Sequence, residues 1–289
     1  MISYPYGVDG TTIRVIEQGS GDNVCLLLHG VGARADRWRH NISSLADAGL
    51  HVYAIDLPGH GFSDKGSFDY SVNGYASLVL RFLDSVGADH CVLVGTSLGG
   101  HVQAVVTFRD PGRVAALVLV GALGITPLGV PGRHAVANSL LDASPDGIHS
   151  KLNRVIHDPS LVTEEWVYEE SRINASPGAS TAFGALADYF QHRVDEDVVG
   201  ERLAGLAGLP PVLLVWGSED VIVPPALGQA SQQILGGDVP LVLIPNAGHA
   251  PYLENPEPFN NAVLAFLGEE GLTVNPPSKA VPTVKEEAR

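Results

Sequence analysis

Gly95-Thr96-Ser97-Leu98-Gly99 follows an apolar run, residues 91–94, and precedes a stretch with helical spacing, residues 99–108. A serine between a strand and a helix, with glycine two positions to either side, reads as a nucleophile on a sharp turn. The glycines let strand and helix approach each other. The turn lifts the hydroxyl above the carboxyl edge of a sheet, where open α/β folds bind their ligands. The helix that follows directs its first N–H groups toward developing negative charge. A chain with 33 glycines can match such a pattern by chance, but the strand–turn–helix setting argues against it.

A serine hydroxyl is a poor nucleophile until a base takes its proton. His249 lies in Asn246-Ala247-Gly248-His249-Ala250-Pro251, directly after the apolar run 241–244. Most of the other ten histidines have no strand end behind them. The exceptions, His29 and His60, sit in glycine-containing loops. A histidine base needs an acceptor for its second ring nitrogen. Trp216-Gly217-Ser218-Glu219-Asp220, after the run 212–215, offers two carboxylates there, Glu219 and Asp220. The end of the run 117–120 offers none. Oxyanion donors are expected at the backbone N–H of Leu98, next to the nucleophile, and of Val31 in the loop His29-Gly30-Val31-Gly32.

The elements that would hold these residues follow from periodicity. Short runs that are apolar throughout fall at 24–28, 51–55, 91–94, 117–120, 212–216 and 241–244, with an alternating run at 12–17. Helical spacing is found at 36–48, 72–86, 99–108, 226–235 and 259–267. Strands without alternation suit a parallel sheet covered on both faces. Strands separated by helix-length segments suit the crossovers of a doubly wound fold. Residues 123–208 break that rhythm and predict a helical insertion, with candidate helices at 164–172 and 182–193. The segments 1–122 and 209–274 then form the core domain. Residues 275–289, rich in Pro, Lys and Glu, read as a disordered tail.

The chain has 289 residues, enough for a large shared core without disulfides or metals. Its 17 Lys+Arg against 32 Asp+Glu give a formal charge of −15, which works against nucleic acid or an anionic membrane as partner. A small-molecule substrate is the expected partner, and the composition is compatible with a monomer or a homodimer. Cys25 and Cys91 each lie in an apolar run and read as buried small hydrophobes. No signal-like segment precedes the first strand and no run reaches about 18 apolar residues, so a cytoplasmic location is expected.

Taken together, these motifs and Asp56-Leu57-Pro58-Gly59-His60-Gly61-Phe62-Ser63 resemble the α/β-hydrolase superfamily over residues 10–122 and 209–268. The chain order Ser, Asp, His is that family's order. The resemblance selects Asp220 over Glu219, because the family's acid stands three residues after the Trp-Gly glycine. It makes the Gly-His-Gly-Phe-Ser turn structural and residues 123–208 a helical cap. It implies an enzyme with no cofactor and no metal. A serine nucleophile implies hydrolysis of a small carboxylic ester or lactone. A second implied activity is carbon–carbon hydrolysis, since Ile156-His157-Asp158-Pro159-Ser160-Leu161-Val162-Thr163-Glu164-Glu165 resembles the cap of meta-cleavage product hydrolases, which split dienoic ring-fission products. Those enzymes hold the substrate carboxylate with a cap arginine. By that resemblance Arg172 and Gly30 are candidate substrate contacts, with Lys151, Arg154 and Arg193 as lesser ones. After the histidine, where those hydrolases usually carry Trp, this chain has Ala250. A third reading is a small-molecule receptor built on the same scaffold.

Overall fold

In the computed structural model, which describes residues 1–273, eight strands form one sheet in the order β1-β2-β4-β3-β5-β6-β7-β8. They are β1 (Ile2–Val8), β2 (Thr11–Gln18), β3 (Asn23–Leu28), β4 (Leu50–Ile55), β5 (Cys91–Thr96), β6 (Val114–Val120), β7 (Val212–Gly217) and β8 (Leu241–Ile244). β1 and β2 pair antiparallel, and so do β2 and β4; every other pairing is parallel.

The unbroken apolar runs have a simple cause. Along β3, Val24, Leu26 and Leu28 enter one core while Cys25 and Leu27 enter the other. β7 does the same, with Val212, Leu214 and Trp216 against Leu213 and Val215. A strand covered on both sides has no polar face to show. The first core holds α2 (Val72–Ser85), α3 (Leu98–Arg109) and α9 (Pro225–Leu235) against the sheet. The second holds α1 (Ile42–Asp47), α10 (Pro251–Glu254) and α11 (Pro256–Glu269). Cys25 and Cys91 are free, buried and in different cores.

Between β6 and β7 run five helices and no strand: α4 (Gly129–Leu140), α5 (Pro145–Val155), α6 (Glu164–Asn174), α7 (Ala179–His192) and α8 (Gly200–Ala204). Ser144 caps α5 and Thr163 caps α6, each hydroxyl accepting a first-turn N–H.

Two sequence expectations change. β1 is an addition to the strands that periodicity predicts, because Pro5 interrupts its pattern. Proline is tolerated there because β1 is the sheet's edge strand. The expected helix over 36–48 is two pieces, a 3-10 turn (Ala35–Trp38) and α1. The N–H groups of Arg37, Arg39 and Asn41 each bond three residues back, which tightens the chain before α1 begins. Trp38, Ile42 and Leu45 are still buried, as their spacing implies. The expected tail at 275–289 lies outside the described residues. Among the described residues, no helix is long and apolar enough to cross a membrane.

Candidate active site

Ser97 joins β5 to α3 with φ 54° and ψ −118°, a conformation that L-residues rarely adopt. Its backbone is held on three sides. Its N–H donates to Val120 O at 3.0 Å, and its carbonyl accepts from His101 N and Leu123 N. The flanking glycines are required by contact. A Cβ on Gly95 would lie 2.5 Å from the Gly99 backbone, and one on Gly99 would lie 2.5 Å from Leu28 O. The turn is therefore fixed by neighbours that leave no room for a side chain.

His249 Nδ1 lies 2.7 Å from Asp220 Oδ2, and both residues are buried. Asp220 Oδ1 accepts from the N–H groups of Ile222 and Val223 at 2.8 and 2.9 Å. The carboxylate is thus aimed at the histidine and cannot rotate freely. Glu219, the rival carboxylate, bonds the neighbouring Ser218 hydroxyl instead. Gly121, at the end of β6, sits against this pair: a Cβ there would be 3.2 Å from both Asp220 Oδ2 and His249 Nδ1. Its lack of a carboxylate leaves it as the spacer that admits them.

Gly30 abuts the serine, and a Cβ on it would be 3.0 Å from Ser97 Cβ. His29 holds this loop. Its Nε2 accepts from Leu57 N–H at 3.0 Å, leaving Nδ1 to donate to Gly30 O at 2.8 Å. Burial pushes the His29 pKa down, consistent with a neutral structural ring. His60 is likewise buried, 5.0 Å from His29 ring to ring, with its pKa pushed well down by burial. Both histidines build loops. Among the described residues, the N–H groups of Val31 and Leu98 have no hydrogen-bond partner. That is the state of a donor kept for a ligand, and for Leu98 also the ordinary state of a first-turn N–H.

Ser97, His249, Gly30 and Val31 line one cavity of about 110 Å³. The insertion supplies much of the remaining wall, from α4 (Ala135, Val136) and α5 (Leu152, Val155). Tyr252 lines it too and stacks on Trp38 with ring centroids 4.0 Å apart. Three cationic side chains reach the wall, Arg37, Lys151 and Arg154, and no carboxylate does among the described residues. Acidic residues outnumber basic ones nearly two to one in the chain, so this lining is a local inversion.

A buried carboxylate organises two of those cations. Glu170 in α6, 1 % exposed, takes Arg37 Nη2 at 3.0 Å, Arg34 Nη1 at 3.2 Å and Lys151 Nζ at 3.7 Å. Burial opposes its charge, but Arg37, Lys151 and Arg34 outweigh that and hold its pKa below the usual value. Lys151 also donates to Gly32 O at 3.0 Å, which ties α5 to the loop over the serine. Burial pushes the Lys151 pKa down while Glu170 resists. The Arg37 guanidinium lies over Trp166 at 4.3 Å, with Nε and Nη1 lacking a partner among the described residues.

Arg172 is a correction. It is exposed and lines an outer surface groove with Phe62 and Tyr168, away from the cavity. α6 buries Val167, Glu170, Ser171 and Asn174, which turns position 172 outward. Arg193 also misses the cavity and lies over Tyr189. Sequence reasoning missed Arg37, Gly121 and Tyr252. The first follows a glycine-rich loop and the third stands three residues after His249, so proximity to the motifs was the available signal. Among the described residues, no cluster of three or more His, Cys, Asp or Glu side chains could hold a metal ion.

The alpha/beta hydrolase family model matches residues 25–262. The chain belongs to the alpha/beta hydrolase family. Among its relatives, a 2-hydroxy-6-oxononadienedioate/2-hydroxy-6-oxononatrienedioate hydrolase of Burkholderia vietnamiensis is 30% identical over 273 residues, covering 90% of this chain and 92% of that one. The dihydrolipoyllysine-residue acetyltransferase component of the acetoin cleaving system of Pseudomonas putida is 31% identical over 261 residues, covering 90% of this chain and 68% of that one. A solved meta-cleavage product hydrolase, a point mutant of CumD, superposes with a TM-score of 0.82 at 25% identity, covering 93% of this chain and 98% of that one. A membrane phospholipase A superposes with a TM-score of 0.81 at 28% identity, covering 93% and 86%. The chain is an α/β-hydrolase-fold hydrolase with aromatic-degradation enzymes among its relatives.

Proposed function

We propose that this hydrolase uses Ser97, His249 and Asp220 to cleave a small substrate that carries a carboxylate, and that a dienoic ring-fission acid, split at a carbon–carbon bond, is the class that fits best. The observation that carries this reading is the cationic lining. Arg37, Lys151 and Arg154 line the cavity that holds Ser97, and no acidic residue lines it among the described residues; Glu170, which pairs with Arg37 and Lys151, stands behind the wall. An anionic group is favoured in such a place because fixed cationic donors take the place of its water shell. Relatives named as hydrolases of unsaturated dioic acids support the same class.

In this mechanism the substrate is first ketonised. Ser97 Oγ then attacks the ketone carbonyl while His249 Nε2 takes the hydroxyl proton. The oxyanion is held by the N–H groups of Val31 and Leu98. Cleavage of the carbon–carbon bond expels a dienolate, which takes the proton from His249 to give the dienol. Water, deprotonated by the same histidine, attacks the acyl-serine, releases the second acid and restores Ser97. Asp220 stays ionised and keeps Nδ1 protonated.

A second reading, hydrolysis of small carboxylic esters or lactones, uses the same residues without the ketonisation. It is favoured by the apolar part of the wall, Val136, Leu152 and Ile222, and by the likeness to a phospholipase.

The deciding experiment compares the wild type and Ser97→Ala on a coloured dienoic ring-fission acid and on p-nitrophenyl esters. The proposal expects turnover of the dienoic acid, with a loss on the order of 10⁶ in Ser97→Ala. Turnover of esters alone would select the second reading. Binding of the acid without turnover of either substrate would leave a small-molecule receptor.

A further inference from the structure

The loop that carries His249 is fastened to the insertion as well as to the sheet. The His249 N–H donates to Val155 O, at the end of α5, at 2.8 Å. Next to it, one carboxylate bridges the two segments. Glu254, half-buried in α10, accepts from Gly248 N–H through Oε1 at 2.8 Å. Through Oε2 it accepts from His157 N–H at 2.6 Å and Asp158 N–H at 3.4 Å. The approach is so close that a Cβ on Gly248 would lie 2.7 Å from Val155 O and 2.9 Å from His157 N. The loop's other end is pinned separately, where the Asn255 amide donates to Pro245 O and Asn246 O. No motif in the sequence points to Glu254.

We infer that Glu254 is a positioning residue that clasps the helical insertion to the His249 loop, so that the base is set in place only while the insertion is seated. The inference rests on the reading of His249 as the base. Converging N–H groups from two segments need an acceptor with two free oxygens. A carboxylate has both, whereas an amide of the same shape offers one oxygen and turns an NH₂ toward the other donors. Val155, His249 and Ala250 also share the cavity wall, so any shift of the insertion at this seam moves the histidine and the wall together.

The test is Glu254→Gln in the full chain, read by amide exchange at residues 155–158 and 246–250, by the rate at which a fluorophosphonate labels Ser97, and by Tm. Glu254→Ala is the harsher companion. If the alanine variant fails to fold, the glutamine variant decides. The clasp predicts that exchange rises in both segments together and that labelling slows about tenfold, roughly what one charge-assisted hydrogen bond is worth. It also predicts that Tm changes little. Loosening of one segment alone, or of both with labelling unchanged, overturns it. A wild type inert to the probe would sink the hydrolase reading instead. The exchange result would then decide the clasp by itself.

Discussion

The core and the insertion both supply residues to one cavity, but they place them by different means. In the core, Ser97, Asp220 and His249 stand just past the ends of β5, β7 and β8, and backbone contacts hold each loop. In the insertion, Lys151 is held by one charge partner, Glu170, and by a hydrogen bond to the Gly32 carbonyl. A site on strand ends depends first on the sheet, although the His249 loop also bonds the insertion through Val155 O. A site on the insertion depends on a buried ion network, which is costly to leave half-paired and weak evidence of stability in itself. The difference suggests a division of labour: the core fixes the chemistry and the insertion selects the substrate.

The sharpest way to break that division is at the core. Asp220→Asn keeps the shape of the side chain but turns an NH₂ toward His249 or toward the N–H groups of Ile222 and Val223. Turnover is expected to fall by roughly 10⁴, for acidic and neutral substrates alike. Steady-state kinetics on both classes check this. A loss confined to one class would mean that Asp220 takes part in selection.

The matching change in the insertion is Lys151→Met. It removes one cation from the cavity wall and leaves Glu170 paired with Arg34 and Arg37. KM for an acidic substrate, such as a p-nitrophenyl half-ester of a dicarboxylic acid, is expected to rise roughly 10- to 100-fold, the worth of one charged hydrogen bond. KM for a neutral p-nitrophenyl ester should stay within about twofold, since no charge is lost to it. An equal change in both would show that Lys151 shapes the cavity and does not read charge.

Acid probes the joint between the two regions. Burial would raise the Asp36 pKa, but hydrogen bonds and charge from Arg14 and Arg34 hold it at about 2. Glu170 is also held below its usual value. A carboxylate whose folded pKa is depressed adds stability that is full above its unfolded pKa and lost as pH falls through the folded one. The joint should therefore weaken as pH drops from the ordinary carboxylate values, 3.8 and 4.5, toward about 2. Thermal melts across that window should show a steep fall in Tm, and Asp36→Asn should flatten it. A variant with the same slope as the wild type would assign the acid sensitivity elsewhere.

The same contrast explains what the sequence disclosed. A strand buried on both faces prints as an unbroken apolar run, and the loop past its end is then located; Ser97 is the first residue past β5, Asp220 the third past β7 and His249 the fifth past β8. That singled out Ser97 and His249 as candidates, and Asp220 once the family spacing decided between it and Glu219. β1 was hidden because an edge strand is freed from that rule and tolerates Pro5. Two of the insertion's five α-helices were legible, at 164–172 and 182–193, close to α6 and α7; α4, α5 and α8 were not placed. Which charges point inward was not. A charged residue on a helix signals solvent whether it faces water or a lined cavity, and Glu170, fully buried, violates the usual pattern outright.

Arg172 carries that lesson to its smallest measurable consequence. Successive residues on a helix turn by about 100°, so positions 170 and 172 stand roughly 200° apart. Glu170 faces the ion network, and Arg172 must therefore face out, as its exposure shows. Val167, Glu170, Ser171 and Asn174 define the inward stripe at i, i+3, i+4 and i+7, and no arginine falls on it. Arg172→Ala should leave KM for the acidic half-ester within about twofold, the ordinary effect of an exposed charge at a distance. The comparison with Lys151→Met, run on the same two esters, decides which face of the insertion reads charge. A tenfold rise in Arg172→Ala, limited to the acidic ester, would place the anion on the outer groove beside Phe62 and Tyr168. The cationic wall would then have to be explained by the ion network alone.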